Sequence, residues 1–177
     1  MESGPTLAGE NVGLRSWSDA DVDFVLSVCD DPLIPLISDV PDEPSTAGAL
    51  AFVAAQLARR AEGRGWAWAI VPSHSGAVVG YVGALWISQA AGRASIGYWS
   101  AATARGNGYT LDAVRAAADW LLTHGHVARL EAFIEPWNIA SAVVAEHAGF
   151  QREGLMRSFA PLGGSRRDAY LYARIAE

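Results

Sequence analysis

The chain has 177 residues, 51% hydrophobic and 18% charged, with a formal net charge of −6. That suits one compact domain, residues 1–177, with a sizeable core, and argues against a solvated low-complexity chain. All thirteen basic residues are arginine, which excludes lysine chemistry such as Schiff bases and P-loop lysines and disfavours a generic nucleic-acid binder, whose affinity would come from a basic face.

The N-terminal stretch, residues 1–13, has neither a basic n-region nor an apolar h-region, so no leader is expected. No apolar run approaches the ~20 residues that a bilayer span needs. The only cysteine is Cys29, which rules out an intramolecular disulfide and fits a cytoplasmic setting. Val12–Trp17 reads as a first strand. Ser18 is a fitting N-cap for a helix through Val22, Val25, Leu26 and Cys29. Asp30–Pro44 holds four prolines and five acids and reads as a loop. Ser45 or Thr46 then caps a helix to about Glu62, with Leu50, Val53, Ala54 and Leu57 as its apolar face.

Trp66–Val71 and Ala77–Ile87 read as strands joined at Pro72–Gly76. Ala94–Ser100 is a further strand and Thr110–Thr123 a helix, with Leu111, Val114, Ala118 and Leu121 on one side. Arg129–Ile134 is a strand, and Ile139–His147 a short helix stopped by Gly149-Phe150. Arg152–Phe159 and Asp168–Ile175 close the chain as strands. The order β-α-α-β-β-β-α-β-α-β-β implies a mixed-sheet α/β domain without repeats.

The most informative stretch is the loop between the Ala94–Ser100 strand and its following helix, Arg105-Gly106-Asn107-Gly108-Tyr109-Thr110. Glycines just before a helix let backbone N–H groups converge, and the helix start adds partial positive charge, so the loop reads as an anion site, most often for phosphate. A Walker A loop fails for want of lysine. A dinucleotide fingerprint begins at Gly106-Asn107-Gly108, but Leu111 occupies the third glycine position and the loop is not at the first βα turn.

Arg105-x-x-Gly108-x-Thr110 resembles the Arg/Gln-x-x-Gly-x-Gly/Ala loop with which GNAT acetyltransferases hold the pyrophosphate of coenzyme A. IGYWSAATARGNGYT resembles the fourth strand and loop of the RimJ/RimL-type branch. RLEAFIEPWNIASAVVAEHAGFQREG resembles its fifth strand, Asn-x-x-Ser helix and Gly-Phe stop. LRSWSDADVD and GGSRRDAYLYARI resemble its opening and closing segments. Thr110 departs from the pattern, and its β-branched side chain could crowd a diphosphate or donate to it.

The resemblance implies a GNAT acyl-CoA N-acyltransferase fold: a mixed sheet of about seven strands, helices on both faces, and a splay between strands four and five. It implies acetyl-CoA as cofactor and acetyl transfer to a primary amine of a peptide or small molecule. The expected cofactor-binding residues are Trp99, Ser100, Arg105, Gly106, Asn107, Gly108, Tyr109, Thr110, Asn138 and Ser141. A backbone N–H near Trp99 or Ser100 would polarise the carbonyl, and Ser141, one turn after Asn138, would protonate the leaving thiolate or simply bond locally. Glu131 is a candidate base through a water, or else a buried partner for an arginine; Glu135 is the other candidate carboxylate. The lack of an obvious base, together with Thr110, also leaves room for a coenzyme A-binding module with reduced catalysis.

The acids of Asp30–Glu43 suggest a cationic acceptor, or only a solvated loop. The expected partners are this amine substrate and, left open, a second copy of the chain in a homodimer; no nucleic acid, membrane or metal is expected. His124-Gly125-His126 offers too few ligands for zinc. No Gly-x-Ser-x-Gly elbow occurs, and Cys29 has no convincing histidine partner.

Overall fold

Aromatic and β-branched runs make the middle of one twisted sheet, and the computed structural model describes residues 5–176 of it. The first four residues of the N-terminal stretch read above lie outside the described residues. The strands are β1 (Leu7–Ala8), β2 (Val12–Arg15), β3 (Gly65–Pro72), β4 (Gly80–Ser88), β5 (Arg93–Ser100), β6 (Arg129–Ile134), β7 (Gln151–Leu162) and β8 (Ser165–Ile175). They form an eight-stranded sheet in the order β1-β2-β3-β4-β5-β6-β8-β7. Every neighbouring pair is antiparallel except β5–β6, which is parallel because helix α4 (Tyr109–Thr123) carries the chain across one face between them.

Two cores follow from the two sheet faces. On one, α1 (Val22–Val28) and α3 (Thr46–Ala61) bury Val25, Phe52 and Val53 against Trp17, Tyr81 and Trp99. On the other, α4 and α5 (Ile139–His147) cover Leu14, Trp68, Ile70 and Leu130. The small residues Ala113, Ala117 and Ala118 of α4 are fully buried, which lets the helix lie close on the sheet.

The sequence reading holds for most elements, with four differences. The two-residue β1 was not anticipated, so the predicted fourth and fifth strands are β5 and β6, and the sheet has eight strands instead of about seven. The proline-rich loop contains a four-residue helix, α2 (Ile34–Ile37), started by Asp31, whose carboxylate accepts from the Leu33 and Ile34 amides at 2.9 and 3.0 Å. The β7–β8 hairpin runs longer than expected, to a tip at Gly163 and Gly164, both at positive φ.

The fourth difference concerns α3. Ser45 caps it as expected, accepting from the Gly48 amide at 3.1 Å. Its inward stripe, however, is Ala49, Phe52, Val53, Gln56 and Arg59, while Leu50 and Leu57 are exposed. Two polar residues occupy the buried side, so apolar spacing alone set the helix in the wrong rotation.

Asp112 in the first turn of α4 accepts from the amides of Glu10, Asn11 and Val12 at 2.9, 2.6 and 3.1 Å, tying the β1–β2 turn to the start of this helix. Asp112→Ala leaves three N–H groups without their acceptor. It is expected to lower stability by about 2 kcal/mol, read as a shift of the urea midpoint at unchanged m-value.

Candidate active site

The sheet opens at its one parallel junction. β5 and β6 pair at Arg93–Arg129, Ala94–Leu130 and Ser95–Glu131, and the ladder stops there although both strands continue. Toward β4, Ala101 N–H donates to the Val79 carbonyl, in phase with the Trp99–Tyr81 and Gly97–Gly83 pairs. Strand alternation therefore gives the peptide groups of Gly97 and Trp99 to β4 and turns those of Ile96, Tyr98 and Ser100 toward the opening.

At the C-terminal end of this opening lies the glycine loop. Gly106 and Gly108 have φ of 80° and 78°, conformations that strongly favour glycine, and nothing lies within 4 Å of where a Cβ would stand on either. Gly108 is the N-cap of the fifteen-residue α4, so the first-turn amides of that helix face an open surface. Nine of the ten predicted cofactor residues line one cavity of about 320 Å³ there. Asn107 is the exception: its amide nitrogen folds back on the Ala104 and Arg105 carbonyls at 3.1 and 3.3 Å and shapes the loop instead. Thr110 lines the cavity half-buried. The Arg105 guanidinium pairs with Asp31 at 2.6 Å and donates to the Ser100 carbonyl at 3.2 Å, so its charge is shared with the protein.

Asn138 caps α5, its side-chain oxygen accepting from the Ser141 amide at 3.2 Å. The local bond at this helix start thus uses the amide of Ser141 and leaves the hydroxyl without a partner among the described residues. Across the opening, the Tyr98 hydroxyl donates to the Ser141 carbonyl at 2.7 Å. Burial pushes the Tyr98 phenol well above its ordinary range, with Tyr172 adding to the effect, so it stays protonated. Asn138, Ser141 and Tyr98 also line a second cavity of about 320 Å³ within the gap, shared with Glu135 and Asp39.

The acetyltransferase (GNAT) domain family matches residues 11–151, four-fifths of the chain. The chain belongs to the GNAT acetyltransferase family. Over 168 residues, 95% of this chain and 94% of the relative, it is 27% identical to a Bacillus licheniformis protein named uncharacterized N-acetyltransferase p20. Among solved structures it resembles Mycobacterium smegmatis RimJ in complex with a CoA disulfide, with a TM-score of 0.87, 25% identity, and coverage of 99% of this chain and 90% of that one. It also shares its fold with the ribosomal-protein-S5-alanine acetyltransferase of Vibrio fischeri, with a TM-score of 0.82, 18% identity and 98% of each chain covered. The protein is an acetyl-CoA-dependent N-acetyltransferase of the RimJ/RimL type.

The residues present in this GNAT enzyme fit coenzyme A. Open amides at a helix start suit a diphosphate, and the strand-like gap offers peptide groups to an extended arm carrying amides of its own.

Of the two predicted catalytic residues, Ser141 reaches the gap and Glu131 does not. Glu131 is 1% exposed at the last closed rung of the β5–β6 ladder. Arg93 donates to both its oxygens at 2.8 and 3.1 Å, and Arg129 to one at 2.8 Å. Burial alone would raise its carboxyl, but the two guanidinium groups outweigh that and hold it below the usual range. A carboxylate held this way is a structural ion pair, and the reading of Glu131 as base is withdrawn. The carboxylates that do line the gap are Asp39 and Glu135. Sequence reasoning passed over Tyr98, Gln56, Arg59 and Tyr81. Gln56 and Arg59 carried one signal, as polar residues in register with Ala49, Phe52 and Val53 on α3. Among the described residues no group of three or more potential metal ligands is assembled, and no helix is long and apolar enough to cross a membrane.

Because the Glu131 carboxyl is lowered in the folded state, its contribution is complete above the ordinary carboxylate range and is lost as pH falls through the native value. Glu131→Gln is expected to cost about 2–3 kcal/mol at pH 7, under the full buried-pair figure because both arginines reach solvent. The loss should shrink on acidification, as read by urea denaturation across pH. Turnover of the folded variant should match the parent at pH 7 and at pH 9.

Proposed function

We propose that the enzyme acetylates a primary amine by direct attack within a ternary complex, with the nucleotide held on the α4–α5 side and the amine entering from the α1–α3 side. The observation that carries this reading is the β5–β6 opening. Ile37 and Tyr98 line all three cavities, on the nucleotide side, in the gap and on the α3 side, so the three adjoin one another around the opening. Acetyl-CoA supplies a thioester whose C–S bond breaks as the new C–N bond forms.

The chain's own groups divide the remaining work. The amides of the Gly106–Thr110 loop and α4 start bind the diphosphate, and Arg105 adds charge at its edge. The gap-facing N–H of Ser100 or Tyr98 stabilises negative charge on the carbonyl oxygen. Ser141 Oγ–H, free of local bonds, gives its proton to the leaving sulfur and recovers one from the nitrogen as the amide forms. Asp39 takes the proton of the incoming ammonium, because it borders both the gap and the α3-side cavity, whereas Glu135 borders the gap alone. The acceptor class includes protein α-amines, in line with a structural relative named a ribosomal L7/L12 alpha-N-protein acetyltransferase, and small-molecule amines.

Free-thiol release from acetyl-CoA with a panel of peptides and small amines tests the reading. For whichever amine is turned over, Asp39→Asn should lower kcat/KM about a hundredfold at pH 7. The deficit should narrow at pH 9, where more of the amine is neutral. Glu135→Gln should change it less than about threefold; the reverse order would move the base to Glu135.

A further inference from the structure

The α3-side cavity, about 250 Å³, brings together groups that the protein leaves without partners. Gln56 lines it at 3% exposure, and among the described residues neither its amide oxygen nor its amide nitrogen has a hydrogen-bond partner. The indole N–H of Trp99, which also lines the cavity, is buried and unpartnered as well. More than nine in ten buried polar groups in folded proteins are paired, and each one that is not costs about 1–3 kcal/mol. Three such atoms on residues lining one cavity mark a place where a ligand completes the bonding.

Their chemistry is one-sided. The leftover groups on the lining are three N–H donors, two on Gln56 and one on Trp99, and a single carbonyl. Beside them lies the Arg59 guanidinium, 7% exposed, which donates to the Tyr81 hydroxyl and meets Asp39 at 3.1 Å. Asp39 is itself 76% exposed and lines both this cavity and the gap. A purely cationic amine would leave those donors unanswered. Of the acids that suggested such an acceptor, Asp31 is already paired with Arg105.

Resting on the acetyl-transfer reading above, we infer that the acceptor is a free amino acid with an apolar side chain, seated with its amine toward Asp39 and its carboxylate toward Gln56 and Arg59. The carboxylate answers the excess donors with two oxygens. Phe52, Tyr81 and Trp99 supply an apolar wall for the side chain, and the volume suits a single amino acid.

Calorimetry on the CoA-loaded protein decides it, comparing L-phenylalanine with phenethylamine and L-leucine with isoamylamine. Each amino acid should bind at least about tenfold more tightly than its decarboxylated counterpart. Gln56→Glu, which sets a like charge against the carboxylate, should reverse that order with CoA affinity retained; if this variant loses CoA binding, Gln56→Leu should instead bring the ratio close to one. Decarboxylated amines binding as well as the amino acids, or neither amino acid binding at about 10 mM, overturns the inference. Thiol release measured in parallel keeps the two readings apart: tight amino-acid binding without release from acetyl-CoA upholds the carboxylate site and defeats the transfer reading.

Discussion

Everything in this molecule turns on a ladder of three pairs. A parallel junction normally keeps its strands together, because each peptide group left without a partner in a covered sheet costs free energy. Here β5 and β6 stop pairing at Ser95–Glu131 and leave the peptide groups of Ile96, Tyr98 and Ser100 facing a gap. Only a separation held from both ends can persist. At the closed end, the Glu131 carboxylate draws in Arg93 from β5 and Arg129 from β6, and Arg129 extends the pairing to Glu153 on β7. At the open end, Tyr98 reaches across to the backbone of α5 instead of to β6. Glu131 thus serves as a structural clamp at the closed end of the opening and takes no part in the chemistry.

The two mouths of that opening are built from different materials. On the nucleotide side the recognition groups are backbone, freed by Gly106 and Gly108 at positive φ and by a helix start, which suits a diphosphate and asks little of side-chain identity. On the α3 side they are side chains held by an aromatic cluster: Trp99 stacks on Tyr81 and Phe24, and Trp17 meets Phe52 edge-on. The Arg105–Asp31 pair ties the glycine loop to the turn before α2. One ion pair therefore joins the wall of the nucleotide cavity to the segment that borders the amine's approach.

The sequence was legible where local rules and the final fold agree. Ser45 caps the helix it was expected to cap, and Arg129–Ile134 and Ile139–His147 have the predicted bounds. It misled where function displaces apolar residues. The α3 stripe read from Leu50, Val53, Ala54 and Leu57 is rotated, because Gln56 and Arg59 take inward positions that spacing rules reserve for hydrophobes. For Glu131 the alternative reading, a buried partner for an arginine, holds, although spacing could not reveal that two arginines converge on it from β5 and β6. Tyr98 was invisible as a bridging residue because its partner, the Ser141 carbonyl, lies 43 residues away.

The rotation of α3 bears on specificity as well as on packing. A helix that exposes Leu50 and Leu57 while burying Gln56 and Arg59 forgoes apolar burial, about 1.5–3 kcal/mol for each leucine that could have been covered. It also carries the desolvation of a guanidinium whose carboxylate partner is largely in solvent. Sequences under selection for stability alone would not keep that arrangement, since swapping the stripe back to hydrophobes would favour the folded state. Polar positions of this kind concentrate where a binding or catalytic site overrides local rules. The stability forgone on α3 is thus the physical trace of what the enzyme must recognise beside the amine it acetylates.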